Sequence, residues 1–254
     1  MKPRPRSSVD RWTELLDRVA SRLRVEVDGI DRLPPGRALL VANHAFGFWD
    51  LALAVARIRT ATGRPVWALG EHLWWKIPIV HRMARASGIV DGTPENTDSL
   101  LAQDQLVLVL PGGLREALKP RELRYRLLWG HRYGFVRAAM RNHAPIVPLA
   151  CVGGDDLFDV VGNAYDRAKK WHLRIPIPRL VPLPHRTSLR FIIGEPIAVE
   201  HRGHEHDARA VRSLRREVEG AIHDAIEDEL ARRLGFPGHE THGDHHDPHQ
   251  ELHV

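Results

Sequence analysis

The sequence predicts a single α/β domain in which a largely parallel central sheet is flanked by helices. Two observations lead to this prediction. Short apolar runs alternate along the chain with longer segments whose apolar residues recur at helical spacing. The runs after Arg37 and after Gln105 are apolar without interruption, which is typical of strands covered by helices on both faces. Hydrophobic residues make up 43% of the chain and charged residues 27%, so a folded domain is expected.

The predicted elements follow one another in an order that suits such a sheet. Helical spacing of apolar residues predicts helices over residues 9–23, 51–58, 72–86, 131–142 and 207–234. Short apolar runs bounded by turn residues predict strands over residues 38–42, 65–69, 88–90, 105–110, 146–152 and 189–193. The proline-rich stretch before the last strand predicts an extended loop.

The chain divides into three predicted parts. Residues 1–30 form a basic lead and an amphipathic helix, residues 31–236 form the α/β domain, and residues 237–254 form a disordered tail. The tail holds six histidines among acidic residues and has few apolar ones. Such a tail can bind transition metals weakly, but it lacks the fixed scaffold of a catalytic metal centre. No metal site is therefore predicted.

The charge of the chain indicates an anionic partner. The formal net charge is +5, and the part before the tail is more basic still, because no Lys or Arg follows Arg233. A basic body suits a phosphate-bearing cosubstrate, nucleic acid or an acidic membrane surface. The single cysteine, Cys151, excludes an internal disulfide, and we interpret it as a small buried strand residue and not as a nucleophile.

Neither a signal peptide nor a clear transmembrane helix is predicted. No apolar stretch of signal-peptide type follows the basic N-terminus. The longest charge-poor run, residues 38–56, contains His44 and Asp50, which a bilayer centre would disfavour. We therefore expect a cytoplasmic protein that associates peripherally with a membrane. The first helix and the pair Trp74 and Trp75 are candidate contacts. Packing on the domain's own core is the favoured interpretation of the helix, and it explains one of the two tryptophans at least as well.

A histidine and an aspartate follow the first predicted strand. His44 comes directly after it, and Asp50 precedes the next helix, with Gly47 between them. Ligands of α/β sheets bind at the carboxyl ends of strands. A carboxylate about one helical turn beyond a histidine can hold one imidazole nitrogen, so that the other acts as a general base. An exposed loop histidine beside a helix-capping aspartate would give the same pattern, so the motif alone leaves both interpretations open.

The segment from Pro111 to Glu116 follows the clearest predicted strand. Gly112 and Gly113 allow close backbone approach, and their amides could donate to a phosphate or to a developing oxyanion. Arg115 could bind a phosphate or carboxylate through two hydrogen bonds. A plain turn explains the two glycines equally well, but it explains less well why Arg and Glu follow them.

These two motifs resemble blocks of the glycerolipid and lysophospholipid acyltransferase superfamily. His44 and Asp50 match its first block, with five residues between them, and residues 111–116 match its third block as Pro-Gly-Gly-x-Arg-Glu. Three further segments resemble the second block, the fourth block and a late segment of the superfamily, namely residues 88–91, 144–148 and 194–197. The resemblance covers residues 33–199 and is greatest to the branch of monoacylglycerol and diacylglycerol acyltransferases.

The resemblance implies a fold like that of glycerol-phosphate acyltransferases, with residues 31–236 as the acyltransferase domain. It implies transfer of a fatty acyl group from an acyl thioester to a glycerolipid or other lipid hydroxyl, with His44 as general base and Asp50 orienting it. The donor would be the cosubstrate acyl-CoA or acyl-ACP, with no further cofactor. The residues expected to bind substrate are Gly47, Gly112, Gly113, Leu114, Arg115 and Glu116. The implied partners are the lipid acceptor, the acyl donor and a membrane surface, with no nucleic acid, and the oligomeric state is left open.

Two departures from the superfamily pattern concern the acceptor. Members that act on phosphorylated acceptors carry Arg at the end of the second block, where this chain has Gly92. They carry Glu in the third block, where this chain has Gly112. The first difference removes a phosphate clamp, so we expect a neutral alcohol such as a mono- or diacylglycerol as acceptor.

Other classes of function remain as alternatives. A lipid-active hydrolase of the α/β-hydrolase type would need a Gly-x-Ser-x-Gly motif, which the sequence lacks. A nucleic-acid-binding protein would need a recognisable reading module or aromatic residues interleaved with Arg on one face, and neither is evident. A basic anion- or metal-binding protein without catalysis would depend on the charge of the body or on the His-rich tail.

Overall fold

A computed structural model of the protein describes residues 8–23, 25–45, 49–70, 88–156 and 188–236. Within these residues seven strands form one sheet. The strands are β1 (Glu26–Asp28), β2 (Ala38–Ala42), β3 (Val66–Gly70), β4 (Ile89–Asp91), β5 (Leu106–Val109), β6 (Ile146–Val152) and β7 (Arg190–Ile193). Their order is β1-β7-β6-β2-β5-β3-β4, and all neighbours pair in parallel except β6 and β7. The predicted, largely parallel sheet is confirmed.

Helices cover both faces of the sheet. They are α1 (Ser8–Arg22), α2 (Trp49–Thr62), α3 (Pro94–Ala102), α4 (Gly113–Ala117), α5 (Gly134–Arg141) and α6 (Ala208–Arg233). Leu39 and Val41 of β2 pack in one buried cluster with residues of α5 and α6, whereas Leu40 and Ala42 pack in another with residues of α1 and α2. Alternate residues of a strand point to opposite faces, so an uninterrupted apolar strand is buried on both sides.

The predicted strands lie within one residue of their observed bounds, because buried apolar runs carry a strong local signal. The helix predicted over residues 131–142 is shorter than expected. The chain turns at Gly130, where φ is 53°, and α5 begins only at Gly134. Helix α2 is longer than the predicted 51–58 at both ends.

Of the strands and α-helices named above, three were not predicted. Helix α3 carried a readable signal, because the Thr93 side chain accepts a hydrogen bond from the backbone N–H of Asn96 at 3.2 Å and Pro94 is its first residue. Strand β1 has only three residues and depends on pairing with β7. Helix α4 begins at Gly113, within the segment for which a plain turn was one of two interpretations.

The N-terminal helix packs on the domain and also exposes part of its apolar surface. Ala20 is buried, and Arg57 of α2 donates to the Asp17 carboxylate at 3.4 Å. On another side of α1, Trp12, Leu15 and Val19 remain exposed. The packing of this helix on the domain is confirmed, and its contact with a membrane stays a prediction.

None of the helices in the described segments combines the length and the apolar character needed to cross a bilayer. Five predictions lie outside the described residues. These are the basic lead before Ser8, the site residue Gly47, the helix over residues 72–86 with its tryptophans, most of the loop between β6 and β7, and the His-rich tail.

Candidate active site

The motifs found in the sequence meet at one edge of the sheet. Strands β6, β2 and β5 are parallel neighbours, so their carboxyl ends lie side by side. His44 follows β2, the Pro-Gly-Gly segment follows β5, and Asp155 lies in the turn after β6. This is the edge at which α/β sheets bind ligands.

Asn43 fixes the point at which the chain leaves β2. Its side-chain amide donates to the Cys151 carbonyl at 2.9 Å, and its side-chain oxygen accepts from the Cys151 N–H at 2.6 Å. The side chain is 1% exposed, so both bonds are shielded from water. They continue the pairing of β2 with β6 beyond the end of the strand and set the position of His44.

Two side chains from the segment after β5 hold the backbone of His44. Its N–H donates to Oε1 of Glu116 at 2.6 Å. Its carbonyl accepts from Nζ of Lys119 at 2.7 Å. Both polar groups of one residue's backbone are thus bound by charged side chains three positions apart.

A buried ion pair connects the residues around His44 to the turn after β6. Lys119 lies 2.8 Å from Oδ2 of Asp155, and both side chains are nearly inaccessible. The same carboxylate oxygen accepts from the backbone N–H of Tyr125 at 2.7 Å. A buried charge requires a partner and saturated hydrogen bonds, and this network supplies both.

The two glycines of the third block are required for different reasons, the first by the packing of Glu116 and the second by its backbone conformation. A Cβ on Gly112 would overlap Oε2 and Cβ of Glu116. Gly113 has a φ of 51°, a left-handed conformation that favours glycine. The pair therefore makes room for the Glu116 side chain and lets the chain turn into α4.

Gly113 and Glu116, which the sequence predicts to bind substrate, already form hydrogen bonds with the protein's own backbone. The N–H of Gly113 donates to the Leu110 carbonyl at 3.0 Å, so this amide is already used within the chain. Glu116 is fully buried, and its Oε2 accepts from the Leu128 N–H at 2.7 Å. Glu116 binds the protein's own backbone, because both of its oxygens are enclosed.

The other predicted site residues occupy different surroundings. Arg115 is exposed, and Leu114 beside it is half-buried. Asp50 lies in the first turn of α2, but the described part of the chain does not include its side chain. Gly47 lies outside the described residues.

The imidazole of His44 is held in its neutral form. Burial lowers its pKa from 6.5 to about 4, and the positive charge of Lys119 acts in the same direction, against a hydrogen bond with the backbone of Ala45. Its Nδ1 is buried and has no hydrogen-bond partner among the described residues. A neutral imidazole can accept a proton, which a general base must do.

Burial raises the pKa of Glu116, whereas it lowers that of His44. A carboxyl group is charged when it has lost its proton, and burial disfavours the charged form. Its pKa rises to about 7 through desolvation, with a smaller raising effect from Asp155. Lys119 and the backbone donors of His44 and Leu128 act against this rise.

The sequence did not indicate Asn43, Lys119 or Asp155. Lys119 carried a weak signal, since it lies three residues after Glu116 and so on the same side of a helical turn. Asn43 and Asp155 carried none beyond their position at strand ends. In the described part of the chain no group of His, Cys, Asp or Glu is placed to hold a metal ion.

The fold is shared with a known enzyme. The crystal structure of the 1-acyl-sn-glycerophosphate acyltransferase PlsC from Thermotoga maritima superimposes with a TM-score of 0.58, covering 88% of this chain and 80% of that one. The sequence identity is 17%, so this likeness shows the α/β acyltransferase fold alone.

Sequence comparisons place the chain within a family. The family model for diacylglycerol acyltransferase matches residues 50–175, which include Asp50 and residues 111–116 but not His44. An uncharacterised protein of Mycobacterium tuberculosis is 34% identical over 189 residues, covering 70% of this chain and 53% of the relative. The mouse protein named DGAT1/2-independent enzyme synthesizing storage lipids is 30% identical over 176 residues, covering 68% of this chain and 52% of the relative.

The chain belongs to the glycerolipid acyltransferase superfamily, and its similarity is to the monoacylglycerol and diacylglycerol acyltransferase-like branch. The matched region spans about half the length of the relatives named above.

Proposed function

We propose that this protein transfers a fatty acyl group from an acyl thioester to the hydroxyl of a neutral glycerolipid, with His44 as general base. The observation that carries the proposal is the state of His44. Its imidazole is neutral, its backbone is held on both sides, and it lies at the carboxyl edge of the sheet. Asp50, at the start of the helix that follows, is assigned to orient the imidazole through Nδ1.

The reaction needs no covalent intermediate on the enzyme. His44 takes the proton of the acceptor hydroxyl while the oxygen attacks the thioester carbonyl carbon. The carbon–sulfur bond then breaks, and the imidazolium returns the proton to the departing thiolate. The products are an ester and a free thiol, and the histidine ends in its starting form.

The surroundings of Gly92 support a neutral acceptor. Gly92 follows β4, and its N–H donates to the Gly70 carbonyl at 2.9 Å. A Cβ at this position would lie 2.9 Å from the same carbonyl oxygen, so a side chain would force the strand ends apart. The chain thus leaves no room for a phosphate-binding arginine at residue 92.

Arg115 is the residue that we assign to an anionic group of the donor or of a lipid. Its guanidinium is exposed beside α4, where it can form two hydrogen bonds with a phosphate. Two basic residues, one just before α5 and one at its end, are less available. Arg132 donates to the Pro111 carbonyl at 2.7 Å, and Arg141 pairs with Asp98 at 2.9 Å.

Peripheral membrane association is assigned to α1. Trp12, Leu15 and Val19 form an apolar stripe on its exposed side, with 42%, 49% and 36% of their surfaces accessible. We call these three residues the α1 stripe. Exposed arginines, Arg18 and Arg22 among them, lie along one edge of it at helical spacing. An apolar stripe bordered by cations suits an anionic lipid surface.

The test is a product analysis with the full chain. Labelled acyl-CoA or acyl-ACP is supplied with monoacylglycerol, diacylglycerol or lysophosphatidate, and the lipids formed are identified by mass spectrometry. We expect ester formation on the neutral acceptors and a loss of about 100-fold or more in His44→Gln. The matched control His131→Gln replaces an exposed histidine and should keep its turnover.

Three results would contradict the proposal. Near wild-type transfer by His44→Gln would show that His44 is not the general base. Activity on lysophosphatidate equal to or above that on the neutral acceptors would refute the acceptor class. Release of free fatty acid without any ester product would indicate a hydrolase instead.

A further inference from the structure

We propose that Lys119 is a positioning residue for His44, which fixes the histidine's backbone and favours the neutral form of its imidazole. The inference rests on the function proposed above for His44, and it adds a residue that belongs to none of the sequence motifs. Lys119 acts through His44 and not on the substrate.

The first argument is the placement of the ammonium group. Nζ of Lys119 lies 2.7 Å from the His44 carbonyl oxygen and 2.8 Å from the Asp155 carboxylate. Lys119 follows α4, His44 follows β2 and Asp155 follows β6, so one side chain connects the ends of three neighbouring strands.

The second argument is the cost of burying this charge. Lys119 is 6% exposed and Asp155 is 8% exposed. Replacing a buried ion pair with apolar residues often leaves stability unchanged or improved, so the pair itself is weak grounds for a purely stabilising role. Lys119 donates to the carbonyl of His44, so its burial is better explained by its effect on that residue.

The third argument is electrostatic. A positive charge close to an imidazole opposes its protonation, and more strongly where water is excluded. Among the described residues, the charged groups that meet at His44 are Lys119 and Glu116 from the segment after β5 and Asp155 from the turn after β6. Among these, Lys119 is the cation, and it lowers the pKa of His44 in the same direction as burial.

The experiment compares His44 in three variants of the full chain. Lys119→Met removes the charge and keeps the length of the side chain. Lys119→Met combined with Asp155→Asn also avoids an unpaired buried carboxylate, in case the single variant fails to fold. Arg121→Met removes an exposed positive charge two positions further along and serves as the matched control.

Two readouts are used. The first is titration of the His44 ring by NMR with labelled histidine, assigned by the signal that His44→Gln lacks. The second is the dependence of kcat/KM on pH with the best acceptor. In Lys119→Met we expect the pKa of His44 and the acid limb of the rate profile to move upward by about one pH unit. In the double variant the upward shift should be smaller, because Asp155→Asn also removes a negative charge. Arg121→Met should match the wild type.

The outcomes separate this inference from the proposed function. If the His44 titration does not move in either Lys119 variant, the inference is overturned, even where turnover falls. If the titration moves but no acceptor is acylated, the electrostatic role of Lys119 stands and the acyltransferase assignment fails. If both readouts move together, both proposals are supported.

Discussion

The backbone N–H of His44 donates to Oε1 of Glu116 at 2.6 Å, although the two residues lie 72 positions apart in the chain. The histidine belongs to the first block of the superfamily pattern and the glutamate ends the third. The two blocks therefore form one structural unit, in which the third block supports the residue that the first supplies. The glycines between them serve the same contact, because Gly112 leaves the space that Glu116 fills.

Gly112→Ala should lower the free energy of unfolding. The added methyl group would overlap the Glu116 side chain, which must then move and release the His44 N–H. Overpacking of this kind costs roughly 1–3 kcal/mol. Denaturant unfolding measures the change, and the proposed transfer activity should fall with it.

Gly220→Ala is the control for this substitution. Gly220 lies within α6, and a Cβ there meets nothing within 4 Å. Alanine in a helix interior should stabilise the protein by about 0.5–1 kcal/mol. Equal stability of Gly112→Ala and the wild type would show that Glu116 does not need the space beside Gly112.

The buried imidazole of His44 should make the protein less stable in acid. Its pKa is about 4 in the folded state against 6.5 as the ordinary value, so between these pH values the unfolded chain binds the proton and the folded chain does not. Stability from this group is therefore complete above pH 6.5 and is lost as the pH falls towards 4. The loss amounts to about 3 kcal/mol at most.

Comparison of the wild type with His44→Gln isolates this effect. The raised pKa of Glu116 gives the opposite slope, since its proton stabilises the folded state until the pH rises through about 7. Glu116 is present in both proteins, so its contribution cancels from the difference. The stability difference between the two proteins should shift in favour of His44→Gln as the pH falls, whereas His131→Gln should follow the wild type. A constant difference between pH 7 and pH 4 would contradict the burial of a neutral His44.

The α1 stripe should bind anionic lipid vesicles. Leu15→Ser removes apolar surface at its centre and should weaken sedimentation with phosphatidylglycerol vesicles, roughly tenfold in affinity for a loss of the order of 1.4 kcal/mol. Binding to phosphatidylcholine vesicles should be weaker in all variants, and salt should reduce binding to the anionic ones.

Leu234→Ser is the matched control for the stripe. Leu234 lies at the end of α6 and is 76% exposed, so its replacement removes apolar surface away from α1. It should leave vesicle binding unchanged. If Leu15→Ser binds vesicles as the wild type does, α1 is not the element that meets the membrane.

The fold was predictable because its strands are buried on both sides. An uninterrupted run such as Ala38–Ala42 carries the signal of its own burial, and the bounds of the strand follow from it. Strand β1 was not predictable in this way. It has three residues and pairs along one edge, and a segment this short carries no clear hydrophobic pattern. Helix α3 was missed although Thr93 and Pro94 mark its start, so here the signal was present and was not used.

The sequence predicted the motif residues of the candidate site but not the buried contacts that support them. The sequence identified His44 and the residues 111–116 and assigned both to the carboxyl edge of the sheet, where they lie. It assigned Glu116 to the substrate together with the rest of the third block, as the resemblance to the superfamily implies. The structure encloses this glutamate completely, and no local pattern distinguishes a buried carboxylate from an exposed one.

Local patterns in the chain indicate which segments are strands, which motifs follow them and which superfamily those motifs resemble. They can do so because hydrophobic periodicity and turn chemistry are local properties of the chain. No such pattern indicates that β6, β2 and β5 are neighbours or that Glu116, Lys119 and Asp155 meet at His44, and these relationships are evident from the folded structure. These contacts join residues far apart in the chain, so they and the pKa values that follow from their burial depend on strand order and not on any local pattern.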